Sequence, residues 1–296
     1  MRLPIPPPSP QCNRLQKALR KTTYYIPQVS VGHYENFPVA SLLLPRELRE
    51  PVGVIYRFAR TADDFADEGH DATPARLEKL QGYRIELQGI HANRTSADPL
   101  FKDLARVVRE HGLPLQLFHD LLDAFAQDVV KNRYADFAEV LDYSGRSANP
   151  IGRLLLALFR KDSPENLQHS DRICTALQII NFWQDVGIDY ATKNRIYLPQ
   201  DEMQRFGVGE DHLRRNLCDP AFQALMRFQV ERARRLMIDG MPLLKELQGR
   251  LRLEIAITAQ GGLRILEKLE QAQYDMFRHR PTHKWFDWPM LFLKAL

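Results

Sequence analysis

Two acidic stretches of the sequence have residue types and spacing that could do chemistry. The first is ARTADDFADEG, residues 59–69. If it is helical, one face carries Tyr56, Arg60, Asp63 and Asp67. Two carboxylates one turn apart repel each other, and a bound cation relieves that repulsion. A solvated helix face shows the same pattern, so this pair alone does not decide between the two interpretations.

The second stretch, LQIINFWQDVGIDY, covers residues 177–190 and repeats the arrangement. Its polar stripe consists of Gln178, Asn181, Asp185 and Asp189. The residues around the stripe are apolar enough to predict burial on most sides, and an isolated buried charge is costly. The aspartates therefore need a partner.

If the two helices face each other, four carboxylates line one cavity. Oxygen ligands suit Mg²⁺, which takes few protein ligands and bridges to substrate phosphates. Neither stretch contains a histidine or cysteine, which argues against zinc and di-iron sites. Lys193 and Arg195 follow the second pair, and guanidinium groups bind phosphate oxygens in bidentate fashion. For Arg60, a structural salt bridge to Asp63 or Asp64 is an equally good interpretation.

The elements that position these residues are predicted to be helical, because helical periodicity dominates and strand-like alternation is nearly absent. Prolines fall near predicted helix starts, where they cost least. Residues 191–219 are predicted to hold loops and short turns. The predicted helices are 35–44, 46–68, 74–91, 98–111, 114–131, 136–144, 149–160, 164–190, 220–247 and 250–277.

Composition limits the class of protein. The 296 residues are 44% hydrophobic and carry a net charge of +4, which is typical of a globular protein and too weak to indicate nucleic-acid binding. The three cysteines are far apart, which predicts a reducing compartment, and we expect a cytoplasmic protein. No run of about 18 apolar residues could span a membrane.

The two ends differ from the central part of the chain. Residues 1–25 are predicted to form an arm, proline-rich at its start, and 26–280 the main domain. Residues 281–296 form an apolar and aromatic C-terminal segment. This segment has two interpretations, a last helix packed on the core or a surface at the inner face of a membrane, where Trp and Arg favour the interface.

YRFARTADDFAD and LQIINFWQDVGIDYATKNRIYLP resemble the two aspartate-rich signatures of the squalene and phytoene synthases, and the resemblance covers roughly residues 30–270. It implies an all-α, single-domain isoprenoid-synthase fold with a central cavity between helices, and an isoprenoid diphosphate held by Mg²⁺. The implied metal ligands are Asp63, Asp67, Asn181, Asp185 and Asp189. The positions implied to hold or order diphosphate are Arg60, Gln178, Arg195 and Tyr197. Tyr56 and Tyr143 match positions lining the cavity, and Phe37 matches an N-terminal motif.

Three departures from the family pattern are Gln184 before the second pair, YSGRSANPIG at 143–152 and HYENFPVAS at 33–41. They resemble the bacterial hydroxysqualene synthases of hopanoid synthesis, which convert presqualene diphosphate and water to hydroxysqualene and diphosphate. The alternative in the same fold is a synthase that condenses two farnesyl diphosphates to presqualene diphosphate, squalene or dehydrosqualene. A non-catalytic assembly factor is a further alternative, which the two intact acidic pairs argue against.

This chemistry creates a carbocation, which aromatic faces stabilise and a dry cavity protects. The aromatic candidates are Phe37, Tyr56, Tyr143, Phe182 and Trp183, although most buried aromatics are simply core. Reaction with water also needs one positioned water, for which His33, Tyr34 and Glu35 are candidates. The same three residues could instead cap and position the first helix.

Overall fold

The computed structural model describes residues 44–67, 69 and 71–296, all of which belong to one compact unit. The arm at 1–25, the helix predicted at 35–44 apart from its last residue, and the candidates His33, Tyr34, Glu35 and Phe37 lie outside the described residues.

Within these residues the chain is all-α, and the one backbone bridge between extended residues joins Arg133 and Ile196. The helices are α1 (Arg46–Asp67), α2 (Thr73–His91), α3 (Pro99–His111), α4 (Leu115–Val130), α5 (Phe137–Ser147), α6 (Asn149–Leu158), α7 (Pro164–Lys193), α8 (Gln200–Arg205), α9 (Glu210–Arg214), α10 (Pro220–Gly240), α11 (Leu243–Glu246), α12 (Gly249–Gln271) and α13 (Asp287–Ala295).

Helix starts follow local signals in the sequence. At the start of α7, the Ser163 side chain accepts a hydrogen bond from the backbone N–H of Asn166 at 3.3 Å, and Pro164 occupies the first turn. Asp98 caps α3 in the same way, with 2.7 Å to the backbone N–H of Leu100. Such caps satisfy N–H groups that have no partner within the helix.

The helix predicted at 220–247 is interrupted near its end. Helix α10 ends at Gly240, and a separate short helix follows from Leu243. Pro242 lacks the N–H that would continue the hydrogen-bond ladder. Gly240 also lies against α7, since a Cβ there would be 2.8 Å from the carbonyl oxygen of His169. The absence of a side chain at Gly240 therefore allows close packing between these two helices.

Helix α7 is the longest element and packs against α5, α6, α10 and α12. Helix α1 packs against α2, α3 and α4, with the Phe58 ring edge-on to those of Phe101 and Phe118. These contacts bury the apolar face of α1, including Ile55, Phe58, Ala62 and Ala66. The polar faces of α1 and α7 are left to form the site.

Candidate active site

The polar face of α1 carries the first acidic pair. The side chains of Asp63 and Asp67 keep 35% and 18% of their accessible surface. Arg60 lies one turn earlier and contacts Asp63 at 3.3 Å and Asp64 at 2.6 Å. The structure therefore shows the salt bridges predicted as one interpretation of Arg60. It leaves the guanidinium beside the acidic pair, where an incoming anion could also reach it.

The second acidic pair lies in the last three turns of α7. Asp185 and Asp189 are half-buried, as are Gln178 and Asn181 earlier on the helix. The predicted burial of the surrounding residues is confirmed for most of them: Ile179, Ile180, Phe182, Trp183 and Val186 are buried, whereas Ile188 is exposed. The polar stripe is thus held in an otherwise apolar helix.

Two cations, Lys193 in the last turn of α7 and Arg195 just after it, connect the acidic pairs. Arg195 Nη2 lies 3.2 Å from Asp67 Oδ1, and the Lys193 ammonium donates to the other oxygen of the same carboxylate. Lys193 and Arg195 lie four and six residues after Asp189 in the sequence. The end of α1 and the end of α7 therefore meet at one place.

A left-handed turn at the end of α7 sets the direction of Arg195. Asn194 has φ 49°, and the N–H of Arg195 bonds back to the carbonyl oxygen of Asp189 at 3.1 Å. Arg133 donates to the Asn194 side chain at 2.9 Å, and the N–H of Ile196 donates to the carbonyl of Asn132 at 2.9 Å. These bonds fix residues 194–197 against the segment that follows α4.

Asp128, near the end of α4, was missed by the sequence reasoning. Its buried carboxylate accepts hydrogen bonds from the hydroxyls of Tyr143 at 2.5 Å and Tyr197 at 3.3 Å. Arg195 donates to its backbone carbonyl at 2.8 Å. The sequence did contain a signal for Asp128, because an aspartate in the last turn of an apolar helix opposes the helix dipole and needs a partner.

The tyrosines at Asp128 belong to a buried aromatic cluster that also contains Tyr134 and Phe182. The rings of Phe182 and Tyr197 stack with centroids 3.5 Å apart and planes within 8°. Tyr143 lies 5.9 Å from Phe182 and 5.6 Å from Tyr197. Burial, together with the negative Asp128, holds the pKa values of Tyr143 and Tyr197 well above their ordinary range. Both hydroxyls therefore stay protonated at neutral pH.

Each acidic pair has one carboxylate whose pKa is raised. Burial and the neighbouring Asp67 raise the pKa of Asp63 to about 7. Burial also raises the pKa of Asp189 to about 7, against the lowering effect of Lys193. Burial acts in the same direction on Asp67, but Arg195 and Lys193 outweigh it and lower its pKa. The ionised forms of Asp63 and Asp189 are thus not fully compensated by the protein's own cations.

The residue just before the C-terminal segment is a cation that the sequence reasoning also missed. The guanidinium of Arg280 contacts the Asp185 carboxylate through two nitrogens, at 2.5 and 3.1 Å. Next to it, the buried amide of Gln184 donates to the carbonyl oxygen of Pro281 at 2.5 Å. The basic run before the aromatic segment is therefore attached to the second acidic pair.

The donor set can be tested against Mg²⁺. In the described part of the chain no three His, Cys, Asp or Glu side chains converge as a ready metal cluster. The oxygen-only donors and the uncompensated charge of Asp63 and Asp189 nevertheless fit this ion, which binds through one or two carboxylates and completes its shell with waters and phosphates. The chemistry of the residues therefore fits Mg²⁺ brought in with a phosphorylated substrate.

Arg195 keeps one donor that no described residue uses. Its Nε is buried and has no hydrogen-bond partner among the described residues, although both Nη atoms are engaged. Among the other predicted residues, Tyr56 lies half-buried one turn before Arg60, and burial raises its pKa to about 12. Gln178 makes no contact that joins it to this network in the described residues and stays a prediction.

Comparison with known proteins shows the family of this chain. The squalene/phytoene synthase family matches residues 31–287. The chain belongs to the squalene/phytoene synthase family. It is an isoprenoid diphosphate-processing enzyme, as the two aspartate-rich stretches predicted.

Relatives within this family include proteins named hydroxysqualene synthase. One from Rhodopseudomonas palustris is 38% identical over 237 residues, which are 80% of each chain. Another, from Sinorhizobium fredii, is 33% identical over 246 residues, which are 82% of each chain.

A solved structure confirms the predicted all-α isoprenoid-synthase fold. The crystal structure of squalene synthase HpnC from Alicyclobacillus acidocaldarius matches with a TM-score of 0.76 at 31% identity, covering 89% of this chain and 93% of that one.

Proposed function

We propose that this enzyme converts presqualene diphosphate and water to hydroxysqualene and diphosphate, with Mg²⁺, in hopanoid or squalene biosynthesis. The relatives named hydroxysqualene synthase support this choice within the family. One observation carries it: two acidic pairs, Arg195 and a buried aromatic cluster adjoin one another. Ionisation of a diphosphate ester needs charged groups for the leaving group and apolar surroundings for the cation.

The charged side of the site would hold the diphosphate. Mg²⁺ bound by Asp63, Asp67, Asn181, Asp185 and Asp189 would supply Lewis-acid stabilisation of the leaving group. Arg195 and Lys193 reach the same carboxylate, so diphosphate oxygens arriving there would meet two cationic donors. Arg60 and Gln178 are proposed to order the same surroundings. These donors are fixed before the reaction begins, which is the arrangement that favours charge separation.

The aromatic side of the site would face the carbocation. The rings of Tyr143, Phe182 and Tyr197 offer π faces and exclude water. The two tyrosine hydroxyls donate to Asp128 and keep their protons, so neither is a phenolate that would trap the cation. This leaves the positioned water as the group that ends the reaction. Glu35 is retained as the candidate base for that water, with Tyr56 lining the cavity.

We also infer a cytoplasmic enzyme that touches the inner face of the membrane. None of the described helices combines the length and apolarity needed to cross a bilayer. The long apolar substrate partitions into lipid, however, and has to reach the site from there.

The test is product identification. Purified enzyme is supplied with presqualene diphosphate and Mg²⁺ in the absence of NADPH, and hydroxysqualene with one equivalent of diphosphate is the expected result. Parallel reactions use Asp189→Asn, whose activity should fall strongly, and Asp211→Asn, whose exposed carboxylate pairs with Arg214, as the matched control.

A second arm tests the condensing alternative. The enzyme receives farnesyl diphosphate alone, again with Mg²⁺. Release of diphosphate in this arm would assign the chain to the synthases that join two farnesyl groups and would overturn the proposal. Loss of hydroxylated product with intact diphosphate release in Glu35→Ala would support Glu35 as the base, and unchanged product would exclude it.

A further inference from the structure

The C-terminal segment exposes a large apolar surface. We call it the C-terminal aromatic patch; it consists of Trp285, Phe286, Trp288, Pro289, Phe292, Leu293 and Leu296. Trp285 is 83% exposed and Leu293 is 72% exposed. Elsewhere in the described residues, exposed large hydrophobics are single aliphatic side chains on separate elements, whereas every exposed Trp or Phe lies in the patch. A contiguous apolar patch marks an interaction surface, while scattered residues do not.

A buried ion-pair network holds the patch outward. The opposite face of α13 carries Asp287, Leu291 and Ala295, all buried. Asp287 lies 2.9 Å from Arg264, also contacts Lys268, and accepts from the backbone N–H of Lys284 at 2.6 Å. Burial would raise the pKa of Asp287, but these hydrogen bonds hold it well below its usual range. Rotating the helix to bury the aromatics would strip this carboxylate of its partners, which is costly.

The charges around the patch favour an anionic partner. Residues 278–296 contain four Lys or Arg and one acidic residue, Asp287, which already pairs with Arg264 and Lys268. Of the four, Arg280 is held by Asp185, Arg278 and Lys294 form solvent-exposed pairs with Asp275 and Glu267 that contribute little, and Lys284 is exposed. A second copy would bring the same positive charges against them. Residues 1–43 of the chain carry five Lys or Arg and one Glu, so they also have the wrong sign to cover this surface. Lipid phosphates have the opposite sign.

We propose that the C-terminal aromatic patch docks the enzyme on an anionic lipid bilayer, with its aromatic rings at the level of the headgroups and its lysines on lipid phosphates. Tryptophan favours that level because its ring is apolar and its N–H is polar. A short helix with one apolar face and basic flanks lies in the plane of the interface. The docking goes beyond the proposed reaction and does not depend on it.

The patch also lies close to the site. Arg280 contacts Asp185, and Trp285 follows five residues later. Five residues span at most about 18 Å, so the bilayer surface lies within that reach of the chain segment that contacts the second acidic pair. An apolar substrate leaving the lipid would have a short path to the enzyme.

Vesicle binding of the full chain, without substrate, tests the proposal. Pelleting is measured with phosphatidylcholine vesicles that contain or lack phosphatidylglycerol. The patch variant is Trp285→Ser, Trp288→Ser and Phe292→Ser combined. The matched control, Ile85→Ser, Val130→Ser and Ile238→Ser, removes the same number of exposed hydrophobics from three separate helices. We expect the wild type and the control to bind the anionic vesicles and the patch variant to lose at least about tenfold in affinity.

Fluorescence gives an independent readout. Of the three tryptophans, Trp183 is fully buried, so quenching by brominated lipid reports on Trp285 and Trp288. Equal vesicle binding by the patch variant, or no binding by the wild type, overturns the proposal. A dimer that forms in the wild type, dissociates in the patch variant and ignores vesicles would assign the patch to a second copy instead. Thermal unfolding of each variant establishes that it is folded.

Discussion

The two acidic pairs resemble each other in sequence but are neutralised by different parts of the chain. Asp67 in the first pair contacts Lys193 and Arg195, which lie in and just after the last turn of α7. Asp185 in the second pair contacts Arg280, which lies just before the C-terminal segment. The first counter-charge is thus fixed by the core, while the second adjoins the segment that carries the C-terminal aromatic patch. The position of the counter-charge on the second pair therefore depends on the C-terminal part of the chain, whereas that on the first pair does not.

The largest expected effect is a loss of activity at both pairs, accompanied by a loss of stability at the first pair alone. Asp67→Asn and Asp189→Asn should each lower kcat/KM on the order of 10²–10³-fold, because each weakens stabilisation of the leaving group. In the metal-free protein, Asp67→Asn should also lower the free energy of unfolding by about 1.5–3 kcal/mol, since it removes the charged partner of Lys193 and Arg195. Asp189→Asn relieves repulsion and should cost nothing.

Steady-state kinetics and urea denaturation measure both quantities, with Asp211→Asn as control. Equal destabilisation by the two variants would contradict the comparison, because it would mean that Asp189 is as well compensated as Asp67.

The next effect concerns Asp128, which positions Arg195 and the two tyrosines without contacting the substrate. Asp128→Ala should lower kcat by about 10–100-fold, the usual consequence of losing a group that orients functional side chains. Asp128→Asn keeps one acceptor oxygen and should recover part of the loss. Asp123→Ala, on the same helix but paired with Arg84 away from the site, is the control. A fall in stability with unchanged kcat would show a purely structural role.

A smaller effect is expected at Arg280. It competes with Mg²⁺ for Asp185, so Arg280→Gln should tighten Mg²⁺ binding by about fivefold, corresponding to about 1 kcal/mol for a partly exposed ion pair. Arg278→Gln is the control, because Arg278 is exposed and pairs with Asp275. Calorimetry with Mg²⁺ in the absence of substrate measures the affinity alone. Weaker binding in Arg280→Gln than in Arg278→Gln would show that Arg280 assists the ion instead.

The smallest effect is a pH dependence shared by both pairs. Asp63 and Asp189 have folded pKa values of about 7, above the unfolded value of about 3.9. Their contribution to the stability of the metal-free protein is therefore complete below pH 4 and is lost as the pH rises through 7. Mg²⁺ requires the ionised carboxylates, so the increase in Tm that it produces should grow between pH 6 and pH 8. Asp63→Asn should reduce this pH dependence. An increase in Tm with Mg²⁺ that is the same at pH 6 and pH 8 in the wild type would contradict the prediction.

Much of this architecture could be predicted because its signals are local. Helices α1 to α7 begin within a residue of their predicted starts, where prolines and capping side chains act on adjacent backbone groups. The acidic stripes were also readable, because helical spacing alone puts Asp63 beside Asp67 and Asp185 beside Asp189. The family resemblance then supplied the implied roles of these residues.

Contacts between distant segments could not be predicted in the same way. Asp128 became visible as a site residue only once α4 lay beside residues 194–197, and Arg280 only once the chain just before the C-terminal segment reached Asp185. Neither distance is encoded in helical periodicity. The end of α10 at Gly240 depended likewise on packing against α7 as well as on Pro242.

The left-handed turn at Asn194 has a mechanical consequence. Through it, the N–H of Arg195 donates to the carbonyl oxygen of Asp189, so the positions of the two residues are coupled. A displacement of Asp189 toward an arriving ion would shift the Arg195 guanidinium, which contacts Asp67 on the other helix. One ion bound at the second acidic pair would in this way also act on the first.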